Sequence, residues 1–190
     1  GQLALNDPPI YETILTATDW QRWLEQIKNA DKKTDKKMDW VAFDTETDSL
    51  DLFAGRIVGV SFSMEDNRAA YVPLAHNYPG APAQLDRDTV LADLKPWLED
   101  ASRTKVLQNA KFDSHMLANH GITLRGATFD TMLESYVLDS TATRHDMDSL
   151  AAKYLGRQTV TFEDIAGKGA KALSFPEIHL EQAGPYAAED

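Results

Sequence analysis

The amino-acid sequence predicts an α/β fold in which helices flank a mixed central sheet of about five strands. Three observations lead to this prediction: short apolar runs between turn residues in the first half, helical periodicity in the second half, and a strand that returns among the helices. With 43% hydrophobic and 26% charged residues, the 190-residue chain has the composition of an ordinary globular protein. We therefore expect a single domain over residues 1–190.

Five segments are predicted as strands, because each is a short apolar or alternating run: Trp40–Phe43, Val58–Met64, Ala70–Leu74, Lys105–Leu107 and Leu124–Phe129. Short connections join the first three, so we expect an antiparallel meander. The fourth strand follows a helix and can therefore lie parallel to the first. Pro73 marks the end of the third strand or an edge position. Residues 1–9 lack periodicity and are interpreted as a linker or edge segment.

Helices are predicted where apolar residues recur at helical spacing and a capping residue precedes them: Thr18–Asn29, Asp88–Glu99, Asn109–His120, a helix after Asp130, Asp148–Leu155 and a helix after Ser174. Thr18 or Asp19 is the expected cap of the first helix. The helix after Asp130 is expected to bury Met132, Leu133, Tyr136 and Val137. A break at Gly184 should place Pro185 in a first helical turn.

The charge balance argues against one class of function and leaves another open. With 19 Lys and Arg against 30 Asp and Glu, the net charge is −11, which disfavours a protein that binds duplex nucleic acid unaided. An enzyme that meets phosphate through divalent cations is compatible, because such a site needs clustered carboxylates. The chain has no cysteine, which excludes disulfides, thiolate metal sites and cysteine nucleophiles. No apolar run is long enough to span a bilayer.

Asp44 and Glu46 are the strongest local signal for chemistry. They lie two residues apart after a buried apolar run, and in extended backbone such residues project from the same face. Two carboxylates on one face repel each other unless a positive charge lies between them, and Mg²⁺ takes carboxylate oxygens readily. Taken alone, this pattern is more typical of a polar loop that leaves a sheet.

Two further signals come later in the chain. Asp113 lies near the start of a helix that follows a strand, a place where an acidic residue also simply stabilises the helix dipole. Tyr186 and Asp190 are four residues apart and therefore share one face of a helix. The tyrosine can orient a water there and the aspartate can bind a metal, whereas the alternative is a surface helix with a half-buried tyrosine.

Taken in order, these signals resemble the three motifs of the DEDD exonucleases, in the variant with a tyrosine in the third motif. Four flanking segments are similar to the proofreading domain of the bacterial DNA polymerase I family: Phe43–Leu50, Phe129–Tyr136, Arg144–Leu150 and Ile165–Gly169. The resemblance runs from about Tyr11 to Asp190. It implies a ribonuclease H-like fold and a 3′→5′ exonuclease that acts on single-stranded or frayed DNA 3′ ends.

The resemblance also implies a site with two divalent cations, Mg²⁺ or Mn²⁺, with Zn²⁺ as an alternative in one position. By motif position, Asp44, Glu46 and Asp190 would hold the first cation, and Asp44 and Asp113 would serve the second. Tyr186 would position the attacking water. Two cations about 3.5–4 Å apart stabilise both the attacking and the leaving oxygen of an in-line displacement at phosphorus.

Six residues are expected to contact the substrate through this resemblance: Leu50, Gln108, Asn109, Phe112, Arg144 and Phe162. Leu50 and Phe162 match positions that pack on the terminal bases, an interaction that does not depend on base identity. Asn109 is equally suited to capping a helix. Phe112 replaces a tyrosine that the family commonly has, and Pro185 is unusual before the motif tyrosine.

Two alternatives stay open: a structural module of a polymerase without catalysis, and an exoribonuclease of the same superfamily. The resemblance places this domain inside a polymerase whose polymerase domain lies outside the 190 residues. It also implies a cytoplasmic, nucleoid-associated bacterial protein that binds a single-stranded DNA 3′ end and no membrane. A monomer is the default expectation.

Overall fold

The computed structural model describes residues 8–30, 40–141 and 144–189, which form a mixed sheet with helices packed on both faces. The described strands are β1 (Ile10–Thr13), β2 (Trp40–Thr47), β3 (Ile57–Glu65), β4 (Arg68–Pro73), β5 (Thr104–Leu107) and β6 (Ala127–Asp130). The described α-helices are α1 (Ala17–Asn29), α2 (Arg87–Leu98), α3 (Ala110–Ala118), α4 (Thr131–Leu138), α5 (Met147–Leu150), α6 (Phe162–Ala166) and α7 (Leu180–Glu189). A π-helical turn, Ala151–Leu155, continues α5.

The strands lie side by side in the order β1-β4-β3-β2-β5-β6. The pairs β2–β3 and β3–β4 are antiparallel, which confirms the predicted meander. β5 runs parallel to β2, and β6 runs parallel to β5, so the predicted return of the chain after a helix is also confirmed. The α/β class with a mixed sheet is therefore as predicted, with six described strands instead of about five.

The additional strand is β1, which pairs in parallel with β4 at the edge of the sheet, from Ile10 opposite Arg68 to Thr13 opposite Tyr71. It has four residues and no apolar alternation, and its first and last residues are exposed, so no sequence signal distinguishes it from a loop. Most of the predicted linker, residues 1–7, lies outside the described residues.

Helices α1, α2 and α3 cover one face of the sheet and bury the larger core. Its centre is an aromatic cluster in which Phe43 and Phe62 lie between Trp20 and Trp97, with ring centroids 5.4–6.3 Å apart. Such offset and edge-on ring contacts add stability beyond the buried area. Over the described residues, no helix is both long enough and apolar enough to cross a membrane.

Helix α7 covers the opposite face and contacts β1, β3 and β4. The predicted break at Gly184 is wrong, since α7 is continuous and Pro185 lies inside it. Gly184 is buried against β1, where an added Cβ would come within 2.5 Å of the Thr13 hydroxyl oxygen. The glycine is therefore required by the close approach of the helix to the sheet, and tertiary packing keeps the proline within the helix.

Two predicted caps lie a short distance from the real ones. α1 is capped by Thr16, whose hydroxyl oxygen accepts from the N–H of Asp19, and not by Thr18 or Asp19. α5 is capped by Asp146 and not by Asp148. Each shift is two to three residues, because several capping residues follow one another in these segments and sequence alone does not select among them.

The predicted burial of α4 is wrong. Asp130 caps this helix as expected, but Leu133, Tyr136 and Val137 are 55%, 57% and 87% exposed, and Met132 is only partly buried. The apolar residues of α4 are spread around the helix, so one turn of the pattern cannot show which side meets the core.

The carboxylate of Glu12 on β1 provides a first test of this packing. Burial alone would raise its pKa, but hydrogen bonds from Arg22, Trp23 and Arg68 lower the pKa to about 2. A lowered folded-state pKa stabilises the fold above about pH 5, and this contribution is lost as the pH falls towards 2. We expect Glu12→Gln to lower the free energy of unfolding by about 1–2 kcal/mol at pH 7, since the partners are partly exposed.

Urea denaturation between pH 2.5 and 7 measures this effect, because the difference between the two proteins should shrink towards the acid end. Glu65→Gln is the matched control, since Glu65 is exposed and contacts only Arg68 of the same group. A constant difference across the pH range would contradict the assignment.

Candidate active site

Asp44 and Glu46 lie on β2, on the face opposite the aromatic core. β2 extends through Thr47, so the two carboxylates stand within the strand and not in a loop after it. Their side chains project from the same face, as predicted, whereas Phe43 and Thr45 point to the other side. Ser61 and Gly59 of β3 stand directly opposite Asp44 and Glu46 in the ladder. Ser61 is a small neighbour of Asp44, whereas the space above Gly59 is filled by the ring of Tyr71.

Asp44 lines a cavity of about 280 Å³ on this face. The cavity lies between the sheet and two helices, with Met147 of α5 on one side and Ala187 and Ala188 of α7 on another. The interior strands β2, β3 and β5 form its floor, so a carboxylate within it stands on rigid backbone.

Asp113 lies on α3, which packs against the larger core. Its side chain is only 1% exposed, and its Oδ1 accepts a hydrogen bond of 2.7 Å from the hydroxyl of Thr45 on β2. The link between Thr45 and Asp113 joins α3 to the strand that carries Asp44. Residues 69 positions apart in sequence are thereby brought close enough for their charges to interact.

The pKa values of Asp44 and Asp113 are both raised, so both carboxylates are costly to ionise in the protein alone. Burial, and then repulsion from Asp113, raises the pKa of Asp44 well above its usual value. Burial also raises the pKa of Asp113, against hydrogen bonds from Thr45, with a further contribution from the charge of Asp130. A divalent cation would offset both the burial and the repulsion, and hard carboxylate oxygens are its preferred ligands. The donor set therefore fits Mg²⁺ or Mn²⁺.

Glu46 lies two residues after Asp44 on β2, and its Oε1 is buried. Among the described residues, no three His, Asp or Glu side chains already converge as a metal-binding group. Asp190, the fourth predicted ligand, lies outside the described residues. The structure thus brings Asp44 and Asp113 together and places Glu46 on the same strand face as Asp44.

Tyr186 lies on α7 and is half-buried in the smaller core under that helix. Its ring centroid is 6.3 Å from that of Phe162 and 6.0 Å from that of Phe175. Phe162 at the start of α6 remains 42% exposed, so it offers an apolar face beside the tyrosine. Two of the predicted site residues are therefore neighbours, although they are 24 positions apart in sequence.

The remaining predicted substrate residues differ in their surroundings. Leu50 follows β2 and is 85% exposed, whereas Phe112 is partly buried against the larger core. Both ends of the Gln108 amide are engaged, one donating to the carbonyl of His145 and one accepting from the hydroxyl of Thr131.

Asn109 and Arg144 complete the predicted set. Asn109 precedes α3 in a left-handed conformation, with φ of 64°, and its side chain makes no capping hydrogen bond. Its alternative role as a side-chain cap is therefore wrong. Arg144 is exposed, whereas His145 beside it is buried, with its Nδ1 2.8 Å from the Ser135 hydroxyl oxygen.

Asp130 has a larger role in the site than the sequence predicts, which is only to cap α4. Its carboxylate accepts from the backbone N–H groups of Asn109 and Ala110, at 3.0 and 2.8 Å, and from those of Met132 and Leu133. It thus caps α3 and α4 at once and fixes the helix that carries Asp113. The sequence signal was present, because Asp130 follows a predicted strand and precedes a helix, but its second partner, Ala110, is 20 residues away.

A family of 3′-5′ exonucleases matches this chain over residues 11–190. The chain belongs to the 3′-5′ exonuclease family. The exonuclease domain is 58% identical over 182 residues to DNA polymerase I of Pseudomonas aeruginosa, covering 95% of the chain and 19% of that protein. It is 39% identical over 201 residues to DNA polymerase I of Rhizobium leguminosarum, covering 97% and 19%. The domain thus spans about a fifth of the length of these relatives.

Solved structures show the same fold for the exonuclease domain. Escherichia coli RNase D, an exoribonuclease involved in structured RNA processing, superposes with a TM-score of 0.64 over 95% of the chain and 41% of that protein, at 18% identity. Brucella melitensis NrnC with bound Mg²⁺ superposes with a TM-score of 0.56 over 83% of the chain and 68% of that protein, at 25% identity. The predicted ribonuclease H-like fold is therefore confirmed.

The double cap formed by Asp130 can be tested by its removal. We expect Asp130→Ala to lower the free energy of unfolding by about 2–3 kcal/mol, because it leaves N–H groups at two helix starts without a partner. Asp86→Ala is the matched control, since Asp86 caps α2 alone and should cost only about 1 kcal/mol. Urea denaturation at pH 7 measures both variants, and equal losses would contradict the double role.

The cap formed by Asp130 stabilises the fold, whereas the repulsion between Asp44 and Asp113 destabilises it. A raised pKa means that the ionised carboxylate destabilises the fold at neutral pH, above the ordinary pKa of an aspartate. We therefore expect Asp44→Asn to raise the free energy of unfolding in EDTA at pH 7 by about 1–2 kcal/mol. Thermal and urea unfolding measure this gain. Destabilisation relative to Asp88→Asn, a change of an exposed residue on α2, would show that the two charges do not repel.

Proposed function

We propose that the exonuclease domain hydrolyses the terminal phosphodiester of single-stranded or frayed DNA 3′ ends, with two divalent cations, Mg²⁺ or Mn²⁺, and that it proofreads for a polymerase. The observation that carries the metal dependence is the pair of buried Asp113 and partly buried Asp44, since the charge of Asp113 disfavours ionisation of Asp44 and a cation would offset it. Membership in the 3′-5′ exonuclease family supports the reaction, and the matches to bacterial DNA polymerase I support DNA as the substrate.

The division of the carboxylates between the two cations follows their positions in the motifs. Asp44, Glu46 and Asp190 would hold one cation, and Asp44 and Asp113 the other, with Zn²⁺ as an alternative in one site. Bound cations supply stabilisation of the charge on the attacking and leaving oxygens, and they make hydroxide available near neutral pH. Thr45 keeps the Asp113 carboxylate oriented through its hydroxyl, so this ligand does not have to be ordered when an ion binds.

Tyr186 is proposed to orient the attacking water through its phenol, because its ring is held in place against Phe162 and Phe175. The exposed faces of Leu50 and Phe162 are proposed to pack on the terminal bases, an interaction worth about 1–3 kcal/mol per base that ignores sequence. Gln108, Asn109, Phe112 and Arg144 are proposed to complete the contacts to the strand. An enzyme that removes any misplaced nucleotide needs contacts of this unselective kind.

The place of the domain in a larger protein is part of the same proposal. Because the chain spans 19% of its Pseudomonas relative, we propose that residues 1–190 are one domain of a DNA polymerase I, with the polymerase domain elsewhere in the parent chain. The parent would act as a monomer on DNA in the bacterial cytoplasm, at the nucleoid. The domain itself is acidic, with a net charge of −11, which suits a unit that relies on cations and on a neighbouring domain to hold DNA.

A cleavage assay tests the reaction directly. The protein is incubated with a 5′-labelled single-stranded DNA oligonucleotide in Mg²⁺, in Mn²⁺ and in EDTA. We expect stepwise shortening from the 3′ end that EDTA abolishes and that Asp44→Asn reduces at least a hundredfold, while Asp88→Asn stays active. No shortening by the folded original protein would favour the structural module instead. Asp44→Asn should fold at least as well as the original chain, so its loss of activity would not come from unfolding.

The substrate is tested with matched DNA and RNA oligonucleotides of the same sequence. We expect faster shortening of DNA, because relatives at 58% and 39% identity are DNA polymerases. The 2′-hydroxyl is the group by which a protein distinguishes the two substrates. Faster shortening of RNA would identify the chain as an exoribonuclease and overturn the proposed substrate.

Binding of the cation itself is tested without substrate. An ion that binds only the folded state stabilises it in proportion to the logarithm of its concentration. We expect Mn²⁺ to raise the thermal unfolding temperature of the original protein and not that of Asp44→Asn. An equal rise in both proteins would contradict the assignment of Asp44 as a ligand.

A further inference from the structure

The loop between β2 and β3, residues 48–56, presents two large apolar side chains to solvent. Leu50 is 85% exposed and Phe53 is 88% exposed, whereas Leu52 between them packs against the larger core. An apolar side chain that stays exposed gains no stability from burial. Leu50 has a proposed place on the terminal bases, but Phe53 is not among the predicted substrate residues.

Hydrogen bonds close this loop and shape its tip. The N–H of Asp48 donates to the carbonyl oxygen of Arg56 at 3.1 Å, and the N–H of Arg56 donates to Oδ1 of Asp48 at 2.8 Å. At the tip, Oδ1 of Asp51 accepts from the N–H groups of Phe53 and Ala54, at 2.9 and 3.2 Å. Contacts within the loop therefore order the backbone that carries Phe53.

The loop is also docked on the end of α3. The side-chain amide of Asn119 donates to the carbonyl oxygens of Leu52 and Gly55, both at 3.0 Å. Nη1 of Arg56 donates to the carbonyl oxygen of Asn119 at 2.6 Å. A Cβ on Gly55 would come within 2.8 Å of the sulfur of Met116, so the loop backbone lies directly against the helix. The loop is thereby fixed to both elements that carry predicted metal ligands, since it continues from β2 and is held by α3.

Phe53 lies within reach of a DNA strand that is bound at the carboxylates. The seven residues from Glu46 to Phe53 span at most about 25 Å when fully extended, and the turns in the loop shorten this distance. A stacked strand covers 25 Å with about seven nucleotides, at about 3.4 Å for each. Every base has a π-face on which an aromatic ring stacks without regard to base identity.

We propose that Phe53 is a further substrate-binding residue, which packs its ring on an unpaired base of the DNA strand. This inference rests on the proposed function, in which single-stranded DNA 3′ ends are the substrate. A loop already fixed on β2 and α3 presents the ring without a further cost of ordering when DNA binds. Single apolar residues are ordinary on a protein surface, but here a hydrogen-bonded loop holds two of them after the strand that carries Asp44 and Glu46.

The test measures affinity for a single-stranded DNA oligonucleotide by fluorescence anisotropy in Mg²⁺ at low salt. Asp44→Asn serves as the background in every protein, because it should bind the strand without shortening it. We expect Phe53→Ala to weaken binding about fivefold or more, as for the loss of one stacked base. Phe53→Tyr should bind like the background protein, because it keeps an aromatic ring.

The matched control is Val137→Ala, a truncation on α4 of an apolar side chain that is 87% exposed. It should leave DNA binding unchanged. Urea denaturation establishes that each variant is folded, and Phe53→Ala should leave the denaturation midpoint unchanged because the ring buries little surface.

Single abasic positions identify the base that the ring contacts. Oligonucleotides that lack one base, at each of the last seven nucleotides in turn, are titrated with the background protein and with Phe53→Ala. We expect one abasic position to weaken binding by the background protein and not by Phe53→Ala, because two changes that remove the same contact are not additive.

Four outcomes overturn the inference. Absence of DNA binding by the background protein removes its basis. Equal affinity of Phe53→Ala and the background protein shows that the ring does not contact DNA, and it favours contact with another part of the parent chain. Additive losses at every abasic position show that the ring does not act on a base. A Phe53→Tyr variant as weak as Phe53→Ala shows that stacking is not the interaction.

The cleavage assay of the original chain distinguishes this inference from the proposed function. If the original chain does not shorten DNA while Phe53→Ala still weakens binding at one base, the proposed hydrolysis fails and the base contact stands. If the original chain shortens DNA while Phe53→Ala binds like the background protein, the hydrolysis stands and the base contact fails.

Discussion

The buried carboxylate of Asp113 and the partly buried one of Asp44 lie close enough for the charge of Asp113 to raise the cost of ionising Asp44, and much of the surrounding structure serves to hold them there. Each is anchored on a different element, one on an interior strand and one on a helix. The hydroxyl of Thr45 donates a hydrogen bond to Asp113 and so joins the two elements. The fold thereby stores an unfavourable interaction that a divalent cation would relieve, which is a physical reason for a cation to bind here and not elsewhere on an acidic surface.

The site depends on a second carboxylate that need not touch a cation. Asp130 ends β6 and caps both α3 and α4, so the orientation of the helix bearing Asp113 is set from a neighbouring strand. Because β6 pairs with β5 and β5 with β2, the position of Asp113 is fixed relative to Asp44 through the parallel part of the sheet. The arrangement is rigid before any ligand arrives, and rigidity of this kind is what catalytic geometry requires.

Helix α7 brings the third group of residues to the same face. Its close approach at Gly184 places it against β1, and Tyr186 then follows between two phenylalanine rings. The hydrogen-bonded pair of Tyr71 and His76 connects β4 to the segment before α7 through the carbonyl of Ile178. The strand face and the helix above it are therefore linked by buried polar contacts as well as by apolar packing, which fixes their spacing.

The sequence alone determined the α/β class, the meander, the parallel return of β5 and the residues of the acidic motifs. These follow from local patterns: apolar runs, connection lengths and the order of three short motifs. Tertiary structure decided the rest. β1 exists only because β4 offers it an edge, the exposed face of α4 depends on what the sheet leaves uncovered, and Asp130 acquires its second helix across 20 residues. Pairings between distant residues carry no local signal, since each partner is compatible with several neighbours until the fold selects one.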